Sequence, residues 1–238
     1  MNEIALCLPK DENMKLVADI FQEINFPING YSSNNRSYRP EVQIKGVRAK
    51  IFAEKDIVIQ VAIGNYSIGF CGLDWMENFH IKFPFSGVKI IKELGGTSKR
   101  IYACSHRQSG RISIDNFKDT NNEVRIISEY SNLAENFAMI NRLKRYKIFS
   151  AWGSAEAYLP DHGEIVLIPA RDENDLQSRN LHPLELILDS RLCIIVNQKD
   201  YETKDLSSIL NYLSKIVSSQ QSENSIQQSA NKNLIAEG

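Results

Sequence analysis

Ile68 to Cys71 is a short apolar run, broken by Gly69 and closed by Gly72, with Asp74 and Trp75 just beyond. Short runs with β-branched or aromatic members, bounded by glycine, read as buried strands. A glycine at the C-terminal end of a strand lets backbone or ligand approach closely. In open α/β sheets, ligands bind outside those ends. The stretch Gly64-Asn65-Tyr66-Ser67-Ile68-Gly69-Phe70-Cys71-Gly72-Leu73-Asp74-Trp75 is therefore the first candidate site. A buried strand followed by an ordinary tight turn is the plain alternative.

Strand and helix patterns alternate before it. Glu3 to Leu8 reads as a buried strand, turned by Pro9-Lys10-Asp11. Asp11 or Asn13 is a candidate cap for a helix striped by Leu16, Val17, Ile20, Phe21 and Ile24. Lys10 sits at a strand-to-helix turn, where helix amides favour anions. Residues 26–36 read as loop. Arg39 precedes Pro40 and is held extended, which suits a guanidinium aimed at phosphate or carboxylate. Both cations read equally well as solvated surface. Val47 to Phe52 alternates like a strand, and Lys55 to Ile63 is helix-like.

At 238 residues and 42% hydrophobic, the chain has enough apolar content for a sizeable core. Its net charge of −1 gives no bias toward nucleic acid or an anionic membrane. Cys7, Cys71, Cys104 and Cys193 each lie in apolar runs without metal-ligand spacing. They read as reduced buried thiols of a cytoplasmic protein. The N-terminus enters a strand pattern directly, with no signal peptide, and no run approaches the ~20 apolar residues of a membrane span.

Residues 76–85 read as irregular and aromatic. Val88 to Leu94 and Arg100 to Cys104 read as two strands, and residues 105–122 as polar loop. Strand patterns follow at 124–130, 147–151 and 164–168. Ser131-Asn132 is a candidate cap for a helix carrying Leu133, Phe137, Ile140 and Leu143. Leu184 to Leu188 precedes an Arg191 to Asn197 strand, and residues 205–217 carry a helical stripe. Residues 218–238, rich in Ser, Gln and Asn, read as a disordered tail. His80, His106, His162 and His182 show no triad or metal spacing.

This order of motifs resembles the short-form ATP phosphoribosyltransferase family of histidine biosynthesis. Leu8-Pro9-Lys10, Ser37-Tyr38-Arg39-Pro40 and the Gly64 to Trp75 block stand at matching places. So do Ser128-Glu129-Tyr130-Ser131-Asn132-Leu133, Gly153-Ser154-Ala155-Glu156 and the closing Arg191 to Asn197 run. Three departures stand out. Lys10-Asp11-Glu12 replaces the family's usual Lys-Gly-Arg, Ser67 replaces an Asp, and Ser131 replaces a Pro.

The resemblance implies a two-lobed α/β fold similar to type II periplasmic binding proteins, with mixed sheets flanked by helices. Residues 1–100 and 190–217 would form one lobe and 101–189 the other. The implied reaction is attack by adenine N1 of ATP on C1 of phosphoribosyl pyrophosphate, with pyrophosphate leaving. Mg²⁺ and hydrogen-bond donors would stabilise that leaving group. Lys10 and Arg39 would steady phosphates, and Gly69 and Gly72 would let backbone close on a nucleotide. Asp74 would accept from the nucleotide, and Ser128 and Glu156 would contribute from the second lobe. No catalytic residue and no metal ligand is assigned. A regulatory subunit similar to histidyl-tRNA synthetase, and an oligomeric state, are expected with the short form.

The family's pyrophosphate loop resembles Asp-x-x-x-Thr-Gly-x-Thr-Leu. Its acid faces the ribose hydroxyls, and its glycine frees amides for phosphate. Here the stretch is Ile168-Pro169-Ala170-Arg171-Asp172-Glu173-Asn174-Asp175-Leu176. Leu176 alone matches. Asp172, Glu173 and Asp175 would repel pyrophosphate, by ~4 kcal/mol per charge pair about 4 Å apart at an effective dielectric of 20. Mg²⁺ bridging these acids to the phosphates, or Arg171 or Arg179, would offset part. An exposed helix N-terminus is the equal alternative. Two functional classes therefore stand open. One is a working transferase. The other is a non-catalytic member that binds a nucleotide or other small ligand, or serves as a regulatory subunit.

Overall fold

The computed structural model describes residues 3–10, 12–34, 37–118 and 121–216, with backbone alone at 95–98. The tail expected at 218–238 lies outside the described residues. In chain order the elements begin β1 (Ile4–Pro9), α1 (Glu12–Glu23), β2 (Ile28–Asn29), β3 (Glu41–Val42), β4 (Val47–Phe52), α2 (Glu54–Ala62) and β5 (Ile68–Gly72). Next come α3 (Leu73–Lys82), β6 (Val88–His106), α4 (Asp115–Lys118), β7 (Val124–Ser128), α5 (Ser131–Ile140) and β8 (Tyr146–Ser150). The last are β9 (Ile165–Ala170), α6 (Glu173–Ser178), β10 (Leu181–Asn197), α7 (Gln198–Thr203) and α8 (Ser207–Leu213). The chain divides into two compact units.

The first unit comprises Met1–Cys71, Gly87–Gly95 and Ile194–Gly238. β1 pairs in parallel with β4, from Ile4↔Val47 to Pro9↔Phe52, and with β5 at Leu6↔Ile68 and Cys7↔Gly69. Every residue of β1 except its edge atoms is covered, because helices must pack on both faces of a parallel sheet. α1 contributes Met14, Val17, Ile20 and Phe21. Phe21 meets Phe70 of β5 edge-on at 5.4 Å.

The second unit comprises Gly72–Ser86 and Gly96–Cys193. β7 lies between β8 and β9, parallel to both, while β6 runs antiparallel to β9. Alternation along these strands builds two cores. Ile101, Ile126, Ile165 and Leu167 pack with Leu133 and Phe137 of α5. Tyr102, Ile127, Val166 and Ile168 pack with Leu176 and Leu181.

Several local expectations change. Residues expected to be irregular after Trp75 form α3. Its only buried residues are Asp74 and Met76, so it carries no apolar stripe for periodicity to detect. Trp75 packs half-buried against the core of the unit, and polar contacts add to the helix's hold. Asn78 Oδ1 accepts from the backbone amides of Asn132 and Leu133, and the Asn78 carbonyl accepts from Asn132 Nδ2. Asn78 thereby caps α5, whose N-cap residue, Tyr130, makes no side-chain cap bond. The runs at 88–94 and 100–104 are one strand, as are 184–188 and 191–197. Both long strands pass from one unit to the other. Asn13 lies inside α1 rather than at its cap, and its Nδ2 donates to both Glu54 oxygens at 3.0 and 2.9 Å. Ile140 is 66% exposed, and Ala134 and Ala138 take the buried face of α5 instead. The 26–36 loop contains β2, which pairs with β3, and the polar 105–122 stretch contains α4.

Candidate functional site

In the first unit, Lys10 is exposed, with Nζ 5.7 Å from the Tyr38 ring centroid. Its backbone amide donates to the Phe52 carbonyl at 2.7 Å, tying the end of β1 to β4. Arg39 is exposed on an open cavity of about 300 Å³ that Arg48, Lys50 and Tyr66 also line. Arg48 stacks over Tyr66 at 4.8 Å and binds Glu3 at 2.8 Å.

Gly69 is fully occupied by packing. A Cβ there would lie 2.7 Å from Ile57 Cγ2, 3.0 Å from Val61 Cγ2 and 3.1 Å from Ile195 Cγ1. The bare backbone of β5 is what lets α2 sit this close. One residue group escaped sequence reading because its members are distant in the chain. Ser67, at the family's Asp position, is buried and donates to Asp200 Oδ2 at 2.6 Å. Lys204 donates to the same oxygen at 2.7 Å. Ser67 thus meets a carboxylate of α7.

In the second unit, Gly72 is the extended N-cap position of α3, at φ −65°. Asp74 follows with 0% exposure. Ser190 donates to its Oδ1 at 2.8 Å, Tyr130 donates to its Oδ2 at 2.6 Å, and the Lys99 ammonium lies 2.9 Å from Oδ2. The Asp74 amide in turn donates to Ser190 Oγ at 3.0 Å. A buried carboxylate needs such partners. These bonds engage both oxygens inside the unit. Lys99 and Ser190 carried no sequence signal, since nothing near Asp74 in the chain points to them.

Ser128 is also buried and internally satisfied. Its hydroxyl donates to the Leu167 carbonyl at 2.8 Å and accepts from the Tyr130 amide at 2.9 Å. Tyr130 thereby joins Ser128 and Asp74 into one network. Near Glu156 the backbone turns through left-handed Gly153 and Ser154, at φ 77° and 48°. The Glu156 carboxylate lies 3.8 Å from Arg179.

Arg171 and Asp172 form the turn between β9 and α6. Asp172 is the N-cap, accepting from the Asp175 amide at 2.9 Å. Asp175 accepts from the Arg171 amide at 3.1 Å and from Arg179 at 2.8 Å. Burial pushes the Asp175 carboxyl up, but the amide and the guanidinium outweigh it and hold the group below the usual carboxylate range. Ile168, at the place of the family's acid, is a core residue.

A Mg²⁺ ion held at this turn would have to compete with the bonds that its acids already make. Asp172 and Asp175 already accept from amides and Arg179, and no group of three His, Cys, Asp or Glu is placed to hold a metal among the described residues. The four cysteines are buried thiols outside any disulfide. Burial pushes the Cys104 thiol up to about 12, with Arg179 opposing, so it is no nucleophile at neutral pH.

Two α/β units joined by long strands define a periplasmic-binding-protein-like class of fold. The sulfonate-binding SsuA of Escherichia coli shares it, with a TM-score of 0.57 at 11% identity over 95% of this chain and 73% of that one. The likeness is stronger to the ATP phosphoribosyl transferase (HisG:HisZ) complex from Thermotoga maritima. There the TM-score is 0.74 at 19% identity, covering 90% of this chain and 98% of that one. In sequence, the ATP phosphoribosyltransferase of Halothermothrix orenii is 25% identical over 94% of this chain and 98% of its own length. The family described as HisG: ATP phosphoribosyltransferase matches residues 53–218, and this chain belongs to it. No helix among the described residues is long and apolar enough to cross a membrane.

Proposed function

We propose that this chain is a small-ligand-binding member of the HisG family, in which the loop that should receive pyrophosphate is filled by the chain's own contacts. The observation that carries this reading is the turn at 171–175. The Arg171 and Asp175 amides donate to Asp175 and Asp172 carboxylates. A phosphate arriving there would have to displace two carboxylates and then face their charge. Pro169 has no amide hydrogen to offer, and Ile168 faces the core. Lys10 and Arg39 remain exposed and available to an anionic ligand such as a nucleotide.

The second reading is that the chain catalyses the first step of histidine biosynthesis, making phosphoribosyl-ATP from ATP and phosphoribosyl pyrophosphate with Mg²⁺. The family match over residues 53–218 favours it. On either reading, the HisG:HisZ complex makes a HisZ-type regulatory subunit the partner to test, and the cytoplasm the expected setting.

The deciding experiment mixes purified protein with ATP, phosphoribosyl pyrophosphate and Mg²⁺, with and without a HisZ-type subunit. Calorimetric titration with each substrate runs alongside. ATP binding without phosphoribosyl-ATP formation is the expected result. Turnover, or micromolar affinity for phosphoribosyl pyrophosphate, would overturn the first reading and establish the second.

A further inference from the structure

β4 is an outer strand, paired with β1. The Ile4 amide donates to the Gly46 carbonyl and the Lys10 amide to the Phe52 carbonyl, so the even-numbered residues of β4 bond inward to β1. The odd-numbered residues turn their amides to the outer edge. There the Val47 amide donates to the Ile44 carbonyl at 3.1 Å, and the Ile51 amide to the Tyr38 carbonyl at 2.9 Å. Between these two ties β3 pairs with β2 rather than with β4, and a cavity of about 300 Å³ opens along the strand edge. The Ala49 amide, midway between the ties, faces that edge, and Ala49 lines the cavity.

Three cations line it too, Arg39, Arg48 and Lys50, against one acid, Glu41. Arg48 and Lys50 stand two residues apart on β4 and share one face of it. Arg48 is held in place. Its Nε donates to Glu3 at 2.8 Å, its Nη2 donates to the Asn65 carbonyl at 3.4 Å, and its guanidinium lies 4.8 Å from the centre of the Tyr66 ring. A guanidinium carries more donors than these bonds use. Lys50 Nζ lies 4.8 Å from the centre of the Phe52 ring, which steadies it without neutralising it.

We propose that this slot beside β4 is a phosphate subsite, in which Arg39, Arg48, Lys50 and the Ala49 amide receive the phosphoryl group of a phosphorylated ligand or free inorganic phosphate. A phosphoryl group brings close to two negative charges at neutral pH and three strong acceptor oxygens. Guanidinium forks match such oxygens in pairs, and a lysine adds a point charge. Three cations against one acid leave about the charge that one such dianion balances. A carboxylate, with one charge and two oxygens, uses less of this donor set. The proposal rests on the ligand-binding reading for Arg39, and adds the cavity and its other donors. It does not involve residues 168–176, which belong to the other unit.

The test is calorimetric titration at pH 7 and one ionic strength, without Mg²⁺, using inorganic phosphate, AMP and adenosine. Phosphate and AMP are expected to bind, and adenosine to bind roughly ten-fold or more weakly than AMP. AMP binding more tightly than phosphate assigns the slot to a phosphorylated ligand, and the reverse assigns it to free phosphate. Arg39→Gln and Lys50→Gln should each weaken binding roughly ten-fold, while Glu41→Gln should strengthen it several-fold. Lys89→Gln, which removes a cation paired with Glu202 outside the cavity, should bind like the unaltered protein. Thermal midpoints confirm that each variant is folded. No binding of phosphate or AMP, adenosine bound as tightly as AMP, or an equal loss in Lys89→Gln would overturn the proposal. So would Arg39→Gln and Lys50→Gln proteins that bind as the unaltered one does. ATP separates the two readings. ATP bound equally by the unaltered protein and both variants keeps the ligand-binding reading and removes this one. Phosphate bound with the expected variant effects, but no ATP bound, removes the nucleotide and keeps the subsite.

Discussion

Residues 66–72 are buried and residues 171–174 are exposed, yet in both stretches the chain itself engages residues expected to meet a ligand. Gly69 makes room for Ile57, Val61 and Ile195. Asp74 is surrounded by Ser190, Tyr130 and Lys99. Asp172 and Asp175 close the other stretch on its own amides. Retention of a motif and readiness for a ligand are therefore separate properties. The first stretch has residues that packing requires whatever the ligand. The second is an exposed turn, where packing requires little.

Substitutions sharpen this contrast. The largest effect is expected from Asp74→Ala. It removes the carboxylate that the Lys99 ammonium, whose side chain is only 20% exposed, shares with two hydroxyls. Breaking a buried pair from one side costs about 3–5 kcal/mol. Urea unfolding measures it, and Asp74→Asn should fall between the two because it keeps an acceptor for the hydroxyls. A cost under about 1 kcal/mol for Asp74→Ala would break the comparison. Gly69→Ala comes next, at about 1–3 kcal/mol for overpacking against three branched side chains. If stability holds while nucleotide affinity falls, Gly69 serves a ligand after all.

The smallest effect belongs to the surface turn. Asp175→Asn should cost at most about 1 kcal/mol at neutral pH once solvent screening is allowed for. Its signature is in the pH dependence. The folded state holds the Asp175 carboxyl below its ordinary range, so its contribution is present above the unfolded value of about 3.9 and is lost as pH falls through the lower folded value. Thermal midpoints below about pH 4 should therefore fall less steeply in the variant than in the unaltered protein. Identical slopes would mean that Asp175 is not held by the Arg171 amide and Arg179.

Most strands were legible in the chain, because β-branched runs bounded by turn residues need only local chemistry. The strands at 4–9 and 47–52 and the stripe of α1 follow from spacing alone. α3 was not legible, since its stability comes from Asp74 and Asn78 meeting residues far along the chain. The Gly95-Gly96 pair suggested a break, but β6 continues through it on ladder pairing that no local propensity reports.

The sequence by itself determined the alternation of strands and helices, the family likeness, and the acidic make-up of the stretch at 171–175. Each is written in neighbouring residues. Only the tertiary structure decided that Ser67 meets Asp200 and that Asp74 is shared by Ser190, Tyr130 and Lys99. Partners of a buried charge are chosen by proximity in space, and residues 74 and 190 become neighbours only when the chain has folded.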